Sequence, residues 1–116
     1  MRPARAIAGE KAEALAAEFL AARGMTIVER NFRRRCGELD LIAREGDTLV
    51  FVEVRLRTRS DFGGAAASIT ARKRSRMTAA AGLYLARLAR TPPCRFDAVL
   101  LDAIYTSRIE WLKDVM

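Results

Sequence analysis

The sequence contains no histidine. That removes the usual general base, any Ser-His or Cys-His nucleophile pair and most zinc sites. Cysteine is nearly absent: Cys36 and Cys94 stand far apart, with no C-x-x-C partner. They fit buried thiols in a reducing cytosol better than a disulfide framework. No apolar run approaches the ~20 residues that a membrane span needs. The first residues carry Arg2 and Arg5, but Glu10, Lys11 and Glu13 interrupt any apolar stretch, which argues against a signal peptide. A cytoplasmic chain without membrane contact is expected. Lysine is scarce as well, with Lys11, Lys73 and Lys113 set against 18 arginines. An Ala- and Arg-rich composition reflects a GC-rich genome as readily as a function, so that ratio carries no weight.

What is present points to one folded domain, residues 1–116, with a basic surface. Hydrophobic residues make up 51% and charged residues 30% of the 116, enough to build a core. The net charge is +7. Such a balance suits polyanions, with nucleic acid first and anionic membrane second. Three Arg clusters carry it: residues 33–35, then 55, 57 and 59, then 72–76. Contacts through the phosphate backbone predict an affinity that falls steeply with salt.

Residues Gly9 to Arg23 repeat apolar side chains at helical spacing, and Gly24 follows as a stop. Met25 to Asn31 reads as a strand, and Arg33-Arg34-Arg35 as a connection. Gly37 to Arg44 and residues 48–57 read as two more strands, joined by a hairpin at Glu45-Gly46-Asp47. A helix from Ser68 or Thr70 to Arg90 has an inner stripe of Met77, Ala80, Ala81, Tyr84 and Leu88, and Pro92-Pro93 end it. Cys94 to Asp102 and Arg108 to Lys113 complete the strands. The order is α-β-β-β-α-β-β. An antiparallel meander of three strands, then a helical crossover to a parallel fourth, gives a mixed central sheet flanked by helices.

One carboxylate is out of place. Glu53 sits in the most apolar strand, "LVFVEVRLR", followed two residues later by Arg55. Alternation puts Val50, Val52, Val54 and Leu56 on one face, and Leu49, Phe51, Glu53, Arg55 and Arg57 on the other. In the preceding strand, Leu39, Leu41 and Ala43 share a face opposite Glu38, Asp40 and Ile42. If the aliphatic faces coincide, Asp40 and Glu53 come together on the other side, close enough to share an ion. Two such acids repel and lose hydration, and something must offset that cost. An ion pair with Arg55 or Arg57 does so. A Mg²⁺ or Mn²⁺ ion held by Asp40 and Glu53 does so equally well, with Arg55 stabilising the charge on a phosphate. Glu38 would then belong to the surroundings of the site. The bland account of Arg95 and Asp97 is a buried ion pair.

"GELDLIA" (37–43), "VFVEVRLR" (50–57), Gly9-Glu10, Asn31, Lys73 and "CRFDAVLLD" (94–102) in this order resemble the bacterial YraN-like family. That family is similar to archaeal Holliday-junction resolvases, which implies the restriction-endonuclease-like fold, a metal-dependent site and branched or structured DNA as substrate. The resemblance implies Glu10, Asp40, Glu53 and the basic residue of Glu-x-Lys as catalytic residues. Here Arg55 replaces that lysine, and Arg does not act as a base. Lys73 from the second helix is the alternative donor of a positive charge. Arg33, Arg34, Arg35, Arg57, Arg59, Lys73 and Arg76 are the expected nucleic-acid contacts. The resemblance also allows a homodimer matched to a two-fold junction. A catalytically inactive nucleic-acid-binding or partner-binding domain on the same fold remains the alternative.

Overall fold

The computed structural model describes residues 4–57, 69–102 and 108–116, with side chains at 4–9 and at 57 left aside. Helix α1 (Ala4–Ala22) is followed by strands β1 (Thr26–Arg34), β2 (Gly37–Glu45) and β3 (Thr48–Arg57). Helix α2 (Ala71–Leu85), β4 (Cys94–Asp102) and β5 (Ile109–Leu112) complete the chain. The five strands form one sheet in the order β1-β2-β3-β4-β5. Only β3 and β4 run parallel. The expected element order, the antiparallel meander and the mixed sheet flanked by two helices are all present.

The sheet has a core on each face. Val50 and Val52 of β3, with Leu41, Ala43, Val99 and Leu101, pack under Ala12, Ala16, Ala17 and Leu20 of α1. Small alanines let this helix lie close to the aliphatic strand face. Phe51, Leu39, Ile42 and Ala98 meet Met77, Ala80, Ala81 and Tyr84 of α2 on the other side. Each large apolar side chain fully buried here contributes roughly 1.5–3 kcal/mol.

Several element ends differ from expectation. Helix α2 stops at Leu85 rather than Arg90, because the Arg87 and Leu88 amides reach back only three residues, to the Tyr84 and Leu85 carbonyls, and tighten the last turn. Leu88, expected in the inner stripe, is left exposed. Strand β1 continues through Arg33 and Arg34, expected in the connection, because their backbones pair with Glu38 and Gly37. Cys36 and Cys94 are free and exposed rather than buried: one lies in the β1–β2 turn and the other at the first residue of β4.

Helix α2 and β2 approach each other closely at Gly37. A methyl group there would run into the Arg76 carbonyl and backbone. Gly37→Ala is therefore expected to push α2 away from the sheet and to cost about 1–3 kcal/mol of stability, as overpacking does. Urea unfolding measures it, and a variant as stable as the wild type would contradict the close approach.

A second tie closes the opposite end of the sheet. Asp97 of β4 is fully buried. Its carboxylate accepts from Arg95 Nε at 3.0 Å, from Trp111 Nε1 at 2.9 Å and from the Asp114 amide at 2.9 Å. Arg95 also reaches Glu45 Oε1 at 2.8 Å, and the Val115 amide donates to the Phe96 carbonyl. The pair expected at Arg95 and Asp97 thus fastens β2, β4, β5 and the last residues together.

Candidate functional site

The β2–β3 ladder runs from Glu45↔Thr48 to Leu41↔Val52 and goes no further. At the next step the Asp40 side chain replaces the backbone: its Oδ2 accepts from the Val54 amide at 2.8 Å. Beside it in β1, Asn31 takes a left-handed conformation, φ 52°, which asparagine tolerates better than most residues. Side chains therefore change face across this step. Leu39 packs on the α2 side with Ile42, while Leu41 and Ala43 face α1. The expected shared face of Leu39, Leu41 and Ala43 is thus incorrect, because alternation presumes an unbroken ladder. The two strands part at Asp40, and polar groups occupy the opening.

Glu53 lies just across this opening and is only 4% exposed. Its neighbour in β4 is Ala98, so it points to the α2 side. Burial raises its pKa first, the Asp40 charge raises it further, and Lys73 and then Arg55 oppose; the balance is about 7. Asp40 is also raised, chiefly by burial, against the Val54 amide, Lys73, Glu53 and Arg33. Glu53 Oε2 is buried and has no hydrogen-bond donor. With both acids ionised, neither has a proton to offer the other. One shared proton or one cation would satisfy the pair.

Among the described residues, a cation from α2 stands at the Glu53 carboxylate. Lys73 Nζ is 3.3 Å from Glu53 Oε1 and 3.8 Å from Glu38 Oε1. Arg76 binds Glu38 Oε2 at 2.8 Å, and this hydrogen bond is the main reason that the Glu38 pKa is lowered. Thr70 caps the helix, its hydroxyl accepting from the Lys73 amide at 3.1 Å. Arg55 is half-buried on the strand itself. Lys73 and Arg76, expected on phosphate, thus engage carboxylates in this structure.

On the α1 side, a cavity of about 300 Å³ opens onto Asp40. Glu10, Ala12, Glu13, Arg33, Asp40, Val54 and Leu56 line it. Glu10 is exposed at its rim. Glu13, which the sequence reading passed over, has its pKa raised by burial and then by the Asp40 charge. A signal for it existed: three residues after Glu10 puts it on the same helix face. Arg33 faces the cavity, Arg34 stacks over Phe32 with its guanidinium carbon 4.1 Å from the ring centre, and Arg35 is exposed in the turn. The Arg57 side chain and Arg59 lie outside the described residues.

Residues 12–101 match the model of the uncharacterised protein family UPF0102. The chain belongs to this family, the YraN-like one that its motifs resemble. Similar UPF0102 proteins include one of Nitrosomonas europaea, 53% identical over 106 residues, covering 91% of this chain and 90% of that protein. Another, of Herminiimonas arsenicoxydans, is 45% identical over 115 residues, with 99% and 90% covered. A third, of Dechloromonas aromatica, reaches 56% over 106 residues, with 90% and 84% covered. The UPF0102 match spans both Asp40 and Glu53, together with Lys73.

Among the described residues, no three His, Cys, Asp or Glu side chains gather closely enough to hold an ion by themselves. Asp40 and Glu53 offer two carboxylates. That set fits Mg²⁺ or Mn²⁺, hard cations that Mg²⁺ sites bind through one or two carboxylates with water filling the remainder. Such an ion would give the unpartnered Glu53 Oε2 a partner and offset the burial and mutual charge that raise both pKa values. Among the described residues, no helix is long and apolar enough to cross a membrane.

Proposed function

We propose that the chain is a metal-dependent endonuclease for branched or otherwise structured DNA. The observation that carries this reading is the pair of acids, half-buried Asp40 and buried Glu53, where β2 and β3 part, with Lys73 beside them. Asp40 and Glu53 would hold Mg²⁺ or Mn²⁺ by carboxylate oxygens, and the bound ion supplies Lewis-acid charge at a phosphodiester. The protein's own groups do the rest. The Val54 amide fixes the Asp40 carboxylate in direction. Arg33 presents positive charge in the cavity at Asp40, where a phosphate backbone would pass. The mixed sheet flanked by helices, with acids at a strand split, supports the restriction-endonuclease-like reading.

A fluorescent four-way DNA junction titrated with Mn²⁺ tests this directly. Binding is expected at low salt, and cleavage only with the metal. Asp40→Asn and Glu53→Gln are each expected to abolish cleavage while leaving most of the binding. Arg55 in the place of a lysine favours a second reading, a binding domain without chemistry. Salt-sensitive binding with no cleavage in Mg²⁺ or Mn²⁺ would return the chain to that reading. Absence of binding to any nucleic acid at low salt would sink both.

A further inference from the structure

We infer that Lys73 is the catalytic cation of this site, its ammonium contacting the phosphate undergoing cleavage. The inference rests on the nuclease reading above and names a residue that acts within it. Arg55 follows Glu53 by two residues along the strand; among the described residues, Lys73 places its ammonium 3.3 Å from the Glu53 carboxylate.

The scaffold around Lys73 is built to hold it there. Its amide is capped by Thr70. One turn later Arg76 ties α2 to Glu38 at 2.8 Å, and Gly37 lets the helix backbone press against β2. A side chain carried by so fixed a turn needs little ordering to act, which is how preorganised charge stabilises a transition state. Glu38 gives the ammonium a second berth at 3.8 Å. A divalent ion entering at Asp40 and Glu53 would repel Lys73 from Glu53. The Lys73 side chain, about a quarter exposed, then has the entering phosphate to meet. Arg55 bears on the Glu53 charge as well, but behind Lys73.

The chemistry needs a charge here and no proton transfer from the lysine. In hydrolysis of a phosphodiester, a water oxygen bonds to phosphorus and one P–O ester bond breaks. The water gives its protons to solvent and the departing oxygen takes one back. Negative charge accumulates on the phosphoryl oxygens in between. A compact ammonium held at van der Waals distance offsets that charge without changing its own protonation.

The experiment compares wild type, Lys73→Ala, Lys73→Gln and Arg55→Ala on the same DNA junction. Single-turnover cleavage is read in Mn²⁺, and binding is read separately in Ca²⁺. Lys73→Ala is expected to slow cleavage roughly a hundredfold while binding in Ca²⁺ weakens about threefold or less, as the loss of one phosphate contact does. Arg55→Ala is expected to slow cleavage less than about tenfold, ~1.4 kcal/mol. If Lys73→Ala does not fold, Lys73→Gln carries the same expectation. Cleavage by the Lys73 variants near the wild-type rate would overturn the inference and leave the nuclease reading intact. So would an Arg55→Ala loss as large as theirs, or a loss of binding that accounts for the whole loss of cleavage. A wild type that binds but never cuts overturns both.

Discussion

Asp97→Ala is expected to lower the free energy of unfolding by about 3–5 kcal/mol, the usual cost of removing one partner from a buried charged network. Asp97 is 0% exposed, and its two oxygens receive donors from Arg95, Trp111 and the Asp114 backbone. Alanine would leave an indole N–H and a backbone amide unsatisfied, and the Arg95 charge supported by Glu45 alone. Asp97→Asn is expected to cost less, because one amide oxygen still accepts. Its NH₂ group, however, faces donors. Urea unfolding followed by tryptophan fluorescence is well suited, since the single tryptophan, Trp111, is part of the network. A loss below about 1 kcal/mol, the worth of an ordinary hydrogen bond, would show that the network contributes little.

Stability is expected to fall as pH rises from 5 to 8, opposite to the trend that salt-bridged carboxylates give. The sign follows from Glu53. Its folded pKa, about 7, lies above its ordinary value of 4.5, so the folded chain holds a proton there that the unfolded chain has released. That contribution is fully present below about pH 4.5 and lost as pH passes 7. Asp40 and Glu13 are raised too and add in the same direction. The lowered carboxylates, Glu38 and Glu45, make their difference below 4.5 and do not interfere. Without histidine, few other groups titrate in this window. The span is on the order of 3 kcal/mol at about 1.4 kcal/mol per pKa unit. Chemical denaturation across pH 5–8 measures it. Glu53→Gln should flatten the curve and be more stable than wild type at pH 8, and Mg²⁺ should restore wild-type stability there by binding the folded state. A wild-type stability that rises from pH 5 to pH 8 would contradict a buried Glu53 beside Asp40.

The fold was legible because its signals are local. Alternating valines in residues 50–56 marked a strand and its core face, and Gly46, with φ 59°, marked the hairpin beside them. The electrostatic oddity of Glu53 was equally plain, because a carboxylate in an aliphatic strand needs no structure to be noticed. What the sequence concealed depends on distance along the chain. Which cation reaches Glu53 is decided by how near α2 comes to β2, and Gly37, 36 residues before Lys73, is part of that answer. Alternation misplaced Leu39 because it takes strands as unbroken. The left-handed backbone at Asn31 and the side-chain substitution at Asp40 depart from that. Glu13 was hidden by its helix, whose alanines gave little reason to prefer one polar position over another.

The hydrogen bond from Val54 to Asp40 has a genetic corollary. At position 40, one side chain is both a rung of the sheet and half of the acid pair. On the nuclease reading, a substitution there that also removes the acceptor oxygen, such as Asp40→Ala, would remove chemistry and architecture in one event, so its inactivity would not tell which was lost. Glu53 is held by a lysine and leaves its own strand pairing to its backbone. The two acids therefore differ as sites of genetic analysis: on the nuclease reading, a Glu53→Gln variant that loses activity while keeping or gaining stability would point to the reaction rather than to folding.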